Sequence, residues 1–342
     1  MMNSTLTEKI SDIHKTNNFS GSIYVQQEKE VLANVSYGFA NRSEKIKNQS
    51  NTRYSIASGS KFFTSIAICQ LVQAGKLSLH SRVKDCLNID IPHLDPTITV
   101  YHLLTHASGI SDYFDEEIMT NYEELWIKRP MYKVRELEDF LPLFKEKPMK
   151  HSVGSKFHYN NAGYILLGLI IEQASRQTFS NYVEEHIFKR ASMDAGYFEM
   201  DSLPGKVALG YIEDLNNTWK TNIYSIPAKG GADGGAYVTA KDMVQLWESL
   251  MRYELLNEEM TKYLLTPQIQ VDDTTYYGYG IWIKREKEKA LKYVLMGYDP
   301  GVNFRALFYP NNDLKIVVCS NKSEGAFDMI SSIEKELTKK MK

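Results

Sequence analysis

Apolar runs of strand type lie at the two ends of this 342-residue chain, with helical spacing between them. That distribution limits the possible folds more than any other feature. Residues 21–26 and 31–37 read as strands joined by the polar turn Gln27-Glu28-Lys29-Glu30, and residues 277–283, 291–296, 304–309 and 314–319 supply four more. The charged stretch 284–289 and Asn311-Asn312-Asp313 have hairpin-turn composition, so strands flanking them should pair antiparallel. Residues 100–106, 134–144, 162–174, 182–188 and 240–253 carry helical spacing instead, and a last helix is expected over 326–340. The expected fold is therefore α/β (α+β), with an antiparallel sheet flanked by helices and an inserted all-helical lobe. Residues 1–78 plus 254–342 would form the α/β lobe, residues 79–253 the mainly helical insert, and an active site would lie in the cleft between them.

Bulk properties narrow the function. Lys and Arg number 40 against 42 Asp and Glu, a net charge of −2, which gives no reason to expect nucleic acid or an anionic membrane as partner. Lys335, Lys339, Lys340 and Lys342 alternate with Glu334 and Glu336 and read as a solvated helix face. Cys69, Cys86 and Cys319 are too few and too scattered for a disulfide framework or a metal pair, which suits a reducing compartment. The first twenty residues are polar, without an apolar leader core, and open on Met1-Met2; the longest apolar run, 164–171, is far short of the roughly 20 residues of a membrane helix. A soluble, cytoplasmic chain with no transmembrane segment is expected.

Chemistry concentrates at Ser58-Gly59-Ser60-Lys61. A short strand over 53–57 runs into Ser58, and Phe63, Ile66, Ala67, Leu71 and Ala74 then recur as on an amphipathic helix that Gly75 stops. Residues three apart on a helix share a face, with Cβ atoms about 5–6 Å apart, so Lys61 can reach the Ser58 hydroxyl. A serine needs a neighbouring base, and a lysine serves if burial lowers its pKa. The plainer alternative is a helix-capping serine and a surface lysine. A second cluster, Tyr159-Asn160-Asn161, precedes the apolar helix and offers a phenol to move protons and an amide to hold both the lysine and a substrate carbonyl.

Together these motifs, about a hundred residues apart, resemble the serine β-lactamase and penicillin-binding protein superfamily, in its class C-like branch. Phe39-Ala40-Asn41-Arg42, Tyr54-Ser55-Ile56-Ala57-Ser58, the run from Leu103 through His106 to Ile110, and Gly234-Gly235-Ala236-Tyr237-Val238-Thr239-Ala240-Lys241-Asp242-Met243 are similar to further segments of that family. The resemblance implies a β-lactamase/transpeptidase-like fold and an acyl-enzyme on Ser58, formed from ester, amide or D-amino-acid peptide substrates. Lys61 and Tyr159 would manage the proton, with no metal or organic cofactor. It also implies that His106 is a packed structural histidine.

The family's third motif, Lys-Thr-Gly or His-x-Gly, has no direct counterpart. Tyr298-Asp299-Pro300 fills the slot, and the Gly301 N–H would join the Ser58 N–H as the oxyanion hole, with Asn161, Tyr298 and Asp299 beside the substrate. Asp299 in place of a cation should favour the ammonium form of Lys61 and repel carboxylates, so weak β-lactam turnover is expected. The alternative reading is a catalytically weak or inactive penicillin-binding-like protein that binds peptide or cell-wall-type ligands. In either case the partner is a small molecule or peptide.

Overall fold

The computed structural model describes residues 4–338 apart from 215 and 217, so Met1, Met2, Lys339, Lys340 and Lys342 lie outside the described residues. The main sheet has eight strands. In chain order they are β1 (Gly21–Gln27), β2 (Glu30–Tyr37), β3 (Ile269–Gln270), β4 (Thr275–Tyr277), β5 (Trp282–Glu286), β6 (Lys289–Asp299), β7 (Val302–Tyr309) and β8 (Leu314–Ser320). The spatial order is β2-β1-β8-β7-β6-β5-β4-β3, all antiparallel. The two ends of the chain meet at its middle, where β1 pairs with β8 from Gly21↔Ser320 to Gln27↔Leu314.

Both faces of the sheet are covered, which is why β8 is buried at every residue and reads as an unbroken apolar run. On one face Ile316 and Val318 join Ile23, Val25 and Leu307 against α1 (Ser4–Asn17) and the C-terminal helix α5 (Ala326–Thr338). On the other, Val317 and Cys319 join Phe304 and Phe308 against α2 (Lys61–Gln73) and α4 (Ala240–Met251). Trp247 of α4 closes that layer, its ring 4.6 Å from Phe308 and 5.4 Å from Phe62.

Helix α2 departs from the amphipathic expectation. Lys61 through Leu71 are all buried, because the sheet lies on one side and the helical region, led by α3 (Asn161–Ser175), on the other. Its polar residues find internal partners: Gln70 donates to the carbonyls of His186 and Leu255, each at 3.1 Å, and Ser65 to that of Lys61.

One expected strand is broken in two, and one helix is additional to those expected. Residues 277–283 do not form one strand: β4 ends at Tyr277, and the chain turns a corner before β5. Gly280 makes that corner with φ +70°, and a Cβ there would stand 2.7 Å from the Lys61 carbonyl oxygen. Helix α1 was not anticipated; Leu6, Ile10 and Ile13 form its short apolar stripe in an otherwise polar segment. No described helix is long and apolar enough to cross a membrane.

Candidate active site

Ser58 sits in a single 3-10 turn, Ala57–Ser60, that feeds α2. Ala57 holds φ +45°, a left-handed conformation costly for a residue with a Cβ. Several contacts maintain it. The Ala57 carbonyl accepts from Ser60 Oγ (2.8 Å) and from Gly235 N–H (3.2 Å), while the Ala236 N–H donates to Ser60 Oγ (3.0 Å). The Gly234-Gly235 segment is thus the brace of the serine turn.

One turn on, Lys61 is buried and its Nζ has three acceptors: Ser58 Oγ at 3.0 Å, Asn161 Oδ1 at 2.7 Å and the Asp233 carbonyl at 2.7 Å. Burial pushes its pKa down, opposed by the carboxyls of Asp233, Glu116 and Asp112. Asn161 opens α3 and is fixed by Asp112, which accepts from both its backbone N–H (2.8 Å) and its side-chain amide (3.0 Å). Asp112 also accepts the Ala162 and Tyr113 N–H groups; burial pushes its carboxyl up to about 7 against these four donors.

Tyr159 lies with its ring 4.9 Å from Lys61 Nζ, and it lines the same cavity as Ser58. Burial, with Glu116 and Asp233 nearby, lifts its pKa well above 10, so it enters the site as a protonated phenol. His106 is packed at 4.5 Å against the Tyr159 ring and bonded at both nitrogens. Its Nδ1 accepts the Asn160 N–H (3.1 Å), which leaves the proton on Nε2, facing the Tyr277 hydroxyl at 3.0 Å. Burial and the nearby Lys61 lower its pKa well below 6.5. It orients Tyr159 and does not face Ser58.

Strand β6 corrects the reading of the third motif. Gly301 is not at the serine: it lies in the turn between β6 and β7, and its N–H donates to Ser323 Oγ at 2.9 Å. The residue of β6 pressed against the serine turn is Gly297, where a Cβ would stand 2.0 Å from the Ile56 carbonyl oxygen and 2.9 Å from the Ser58 nitrogen. Only glycine permits that approach. Two glycines four apart made the register ambiguous, and the closeness that selects the first is a tertiary fact. The Tyr298 side chain is 62% exposed and lines the same cavity as Ser58. Asp299 lines it too, but burial and Asp233 push its carboxyl up to about 8, so near neutral pH it carries less negative charge than expected.

Ser58, Tyr159, Asn161 and Asp299 open onto one cavity of about 650 Å³. Its walls include Tyr113, Glu116 and Tyr122 of the stretch 113–131, expected from sequence to line the cleft, and Asp233 and Trp282, which were not anticipated. The Tyr113 hydroxyl donates to the Asp233 carboxyl. Beside the cavity, Asp115, Glu117 and His158 converge with metal-like spacing. The positive charge there is Lys150, whose Nζ bonds both carboxylates and lies 2.9 Å from His158 Nε2.

Known proteins resemble this chain over most of its length. The family model described as Beta-lactamase matches residues 8–336. The crystal structure of a penicillin binding protein from Bacillus halodurans superposes with a TM-score of 0.92 at 53% identity, covering 95% of this chain and 99% of that one. The chain is 26% identical over 322 residues to the "Putative penicillin-binding protein PbpX" of Bacillus subtilis (strain 168), covering 93% of this chain and 75% of the relative. It is 28% identical over 271 residues to Protein flp of Staphylococcus aureus (strain MW2), covering 77% of this chain and about half, 48%, of that protein.

Proposed function

The chain belongs to the Beta-lactamase family of serine hydrolases, and from that premise we propose that it cleaves esters, amides or D-amino-acid peptides through an acyl-enzyme on Ser58. The observation that carries the reading is the Lys61 amine, buried and 3.0 Å from Ser58 Oγ. An ammonium has three N–H donors and a neutral amine has two. With Asn161 Oδ1 and the Asp233 carbonyl taking two, the lone pair of neutral Lys61 faces the serine hydroxyl.

In the proposed cycle Lys61 takes the Ser58 proton as Oγ attacks the acyl carbonyl. The oxyanion accepts from the Ser58 N–H and from a second N–H on β6. Because Asp299 and Val302 close a two-residue turn, Asp299 and Gly297 direct their backbone bonds to β7, and the Tyr298 N–H points to the open side, beside Ser58. Tyr298 therefore replaces Gly301 as the second donor. Collapse breaks the bond to the leaving group, which gains a proton relayed from Lys61 through the Tyr159 phenol. Water then attacks the acyl-Ser58 ester, gives one proton to Lys61, and the acid and free Ser58 are restored. Asn161 holds both Lys61 and the substrate carbonyl. Unpaired Cys69, Cys86 and Cys319 suit a cytoplasmic setting.

A second reading, ligand binding with little turnover, is favoured by the acids around Lys61, which oppose its deprotonation. Hydrolysis of 4-nitrophenyl acetate separates the two. Enzyme-dependent release of nitrophenolate that vanishes in Ser58→Ala supports the hydrolase. Equal rates in the two proteins would refute it.

A further inference from the structure

We propose that the cavity selects acyl donors bearing a cationic ammonium group, with Asp299 and Glu116 as the specificity-determining carboxyls; this rests on the acyl-hydrolase reading of the same site. Among the described residues lining the cavity, four are acids, Glu116, Glu123, Asp233 and Asp299, and Arg305 is the one base. Arg305 is already placed elsewhere. It pairs with Met296 across β6 and β7, one residue out of phase with the Gly297↔Phe304 pair, so it projects from the opposite face of the sheet. There its guanidinium lies 4.5 Å from the Phe327 ring centroid.

Asp299 shares its strand face with Gly297, two residues away, and so looks onto the serine turn. Glu123 is neutralised by Lys220, and Asp233 takes the Tyr113 hydroxyl. Among the described residues, no ion-pair partner meets either Asp299 or Glu116. Neutral Lys61 spends its two N–H groups on Asn161 Oδ1 and the Asp233 carbonyl. Two carboxyls thus line the Ser58 cavity with no salt-bridge partner among the described residues, and burial outweighs the pull of Lys61 on each, pushing Asp299 up to about 8. A cation on the acyl donor would supply the missing charge, whereas a carboxylate would add to the repulsion. Phe114, Tyr122, Tyr159 and Trp282 line the same space, and aromatic faces attract ammonium groups.

The test compares 4-nitrophenyl 4-(trimethylammonio)butanoate with its uncharged isostere, 4-nitrophenyl 5,5-dimethylhexanoate, each corrected for spontaneous hydrolysis. The expected kcat/KM ratio is about tenfold or more in favour of the cation at low salt, shrinking as salt screens the charges. It should fall severalfold in both Asp299→Asn and Glu116→Gln, because the ratio within one protein divides out any change in nucleophile strength. A ratio of one or less, or a ratio that neither variant changes, overturns the proposal. If neither ester is hydrolysed, the hydrolase reading fails, and binding to Ser58→Ala still decides this inference. Choline binding more tightly than 3,3-dimethylbutan-1-ol supports it, and equal affinity refutes it.

Discussion

Lys61 is held between two opposing influences, and the balance sets when the site can react. Burial lowers its pKa and the surrounding carboxyls raise it, with burial the larger effect. The base form increases with pH, so the acylation rate should climb through a limb below the ordinary lysine pKa near 10.4. Lys61→Ala should remove that limb and cost about 10²–10⁴ in kcat/KM, checked by pH–rate profiles of the two proteins. Asp299 makes a prediction about stability. Its folded pKa of about 8 lies above its unfolded value near 3.9, so the folded state binds a proton that the unfolded chain has released. Stability should therefore fall as pH rises across that window. Asp299→Asn should have a higher thermal midpoint than the parent by a few degrees at pH 8 and by less at pH 5, as read by scanning calorimetry. A gap that does not grow with pH would place the carboxyl in water.

At the scale of elements, the serine turn is clamped between β6 and the Gly234-Gly235 brace, and Gly297 is its tightest contact. Gly297→Ala has no room for its methyl group against the Ile56 carbonyl, so strand and turn must separate. The Ser58 and Tyr298 N–H groups would then lose their shared focus. A loss of about 10²–10³ in acylation rate is expected, of the order seen when one oxyanion donor is removed. Stopped-flow acylation measures it, with the circular dichroism spectrum retained. This is also where the sequence was least legible. Ser58, Lys61, Tyr159 and Asn161 were proposed through the resemblance of two short motifs to a known family, since their spacing alone left a capping serine and a surface lysine open. The choice between Gly297 and Gly301 depends on which backbone approaches the serine, and neither neighbour's identity records that. The corner at Gly280 was hidden similarly, inside an apolar run continuous enough to pass for one strand. Helix α1 escaped because Leu6, Ile10 and Ile13 are too few to mark a helix by periodicity alone.

For the molecule as a whole, the long-range architecture was plain in the chain because it follows from burial. Strands too few to cover themselves at each end had to meet, and β1 pairs with β8 along its full length. The consequence for the proposed function is that the proposed nucleophile and oxyanion strand come from distant parts of the chain, Ser58 before α2 and Tyr298 on β6. Lys61 and Asn161 meet across the joint between α2 and α3. Acids concentrated on the cavity walls could not be foreseen from a net charge of −2, since composition sums charges and does not place them. The central claim is that Ser58 is a nucleophile that Lys61 activates. Intact-mass analysis after incubation with a fluorophosphonate tests it most directly. The account predicts a single adduct, mapped to the peptide holding Ser58, absent in Ser58→Ala and formed far more slowly in Lys61→Ala. An unlabelled protein, or an adduct that survives Ser58→Ala, would contradict it.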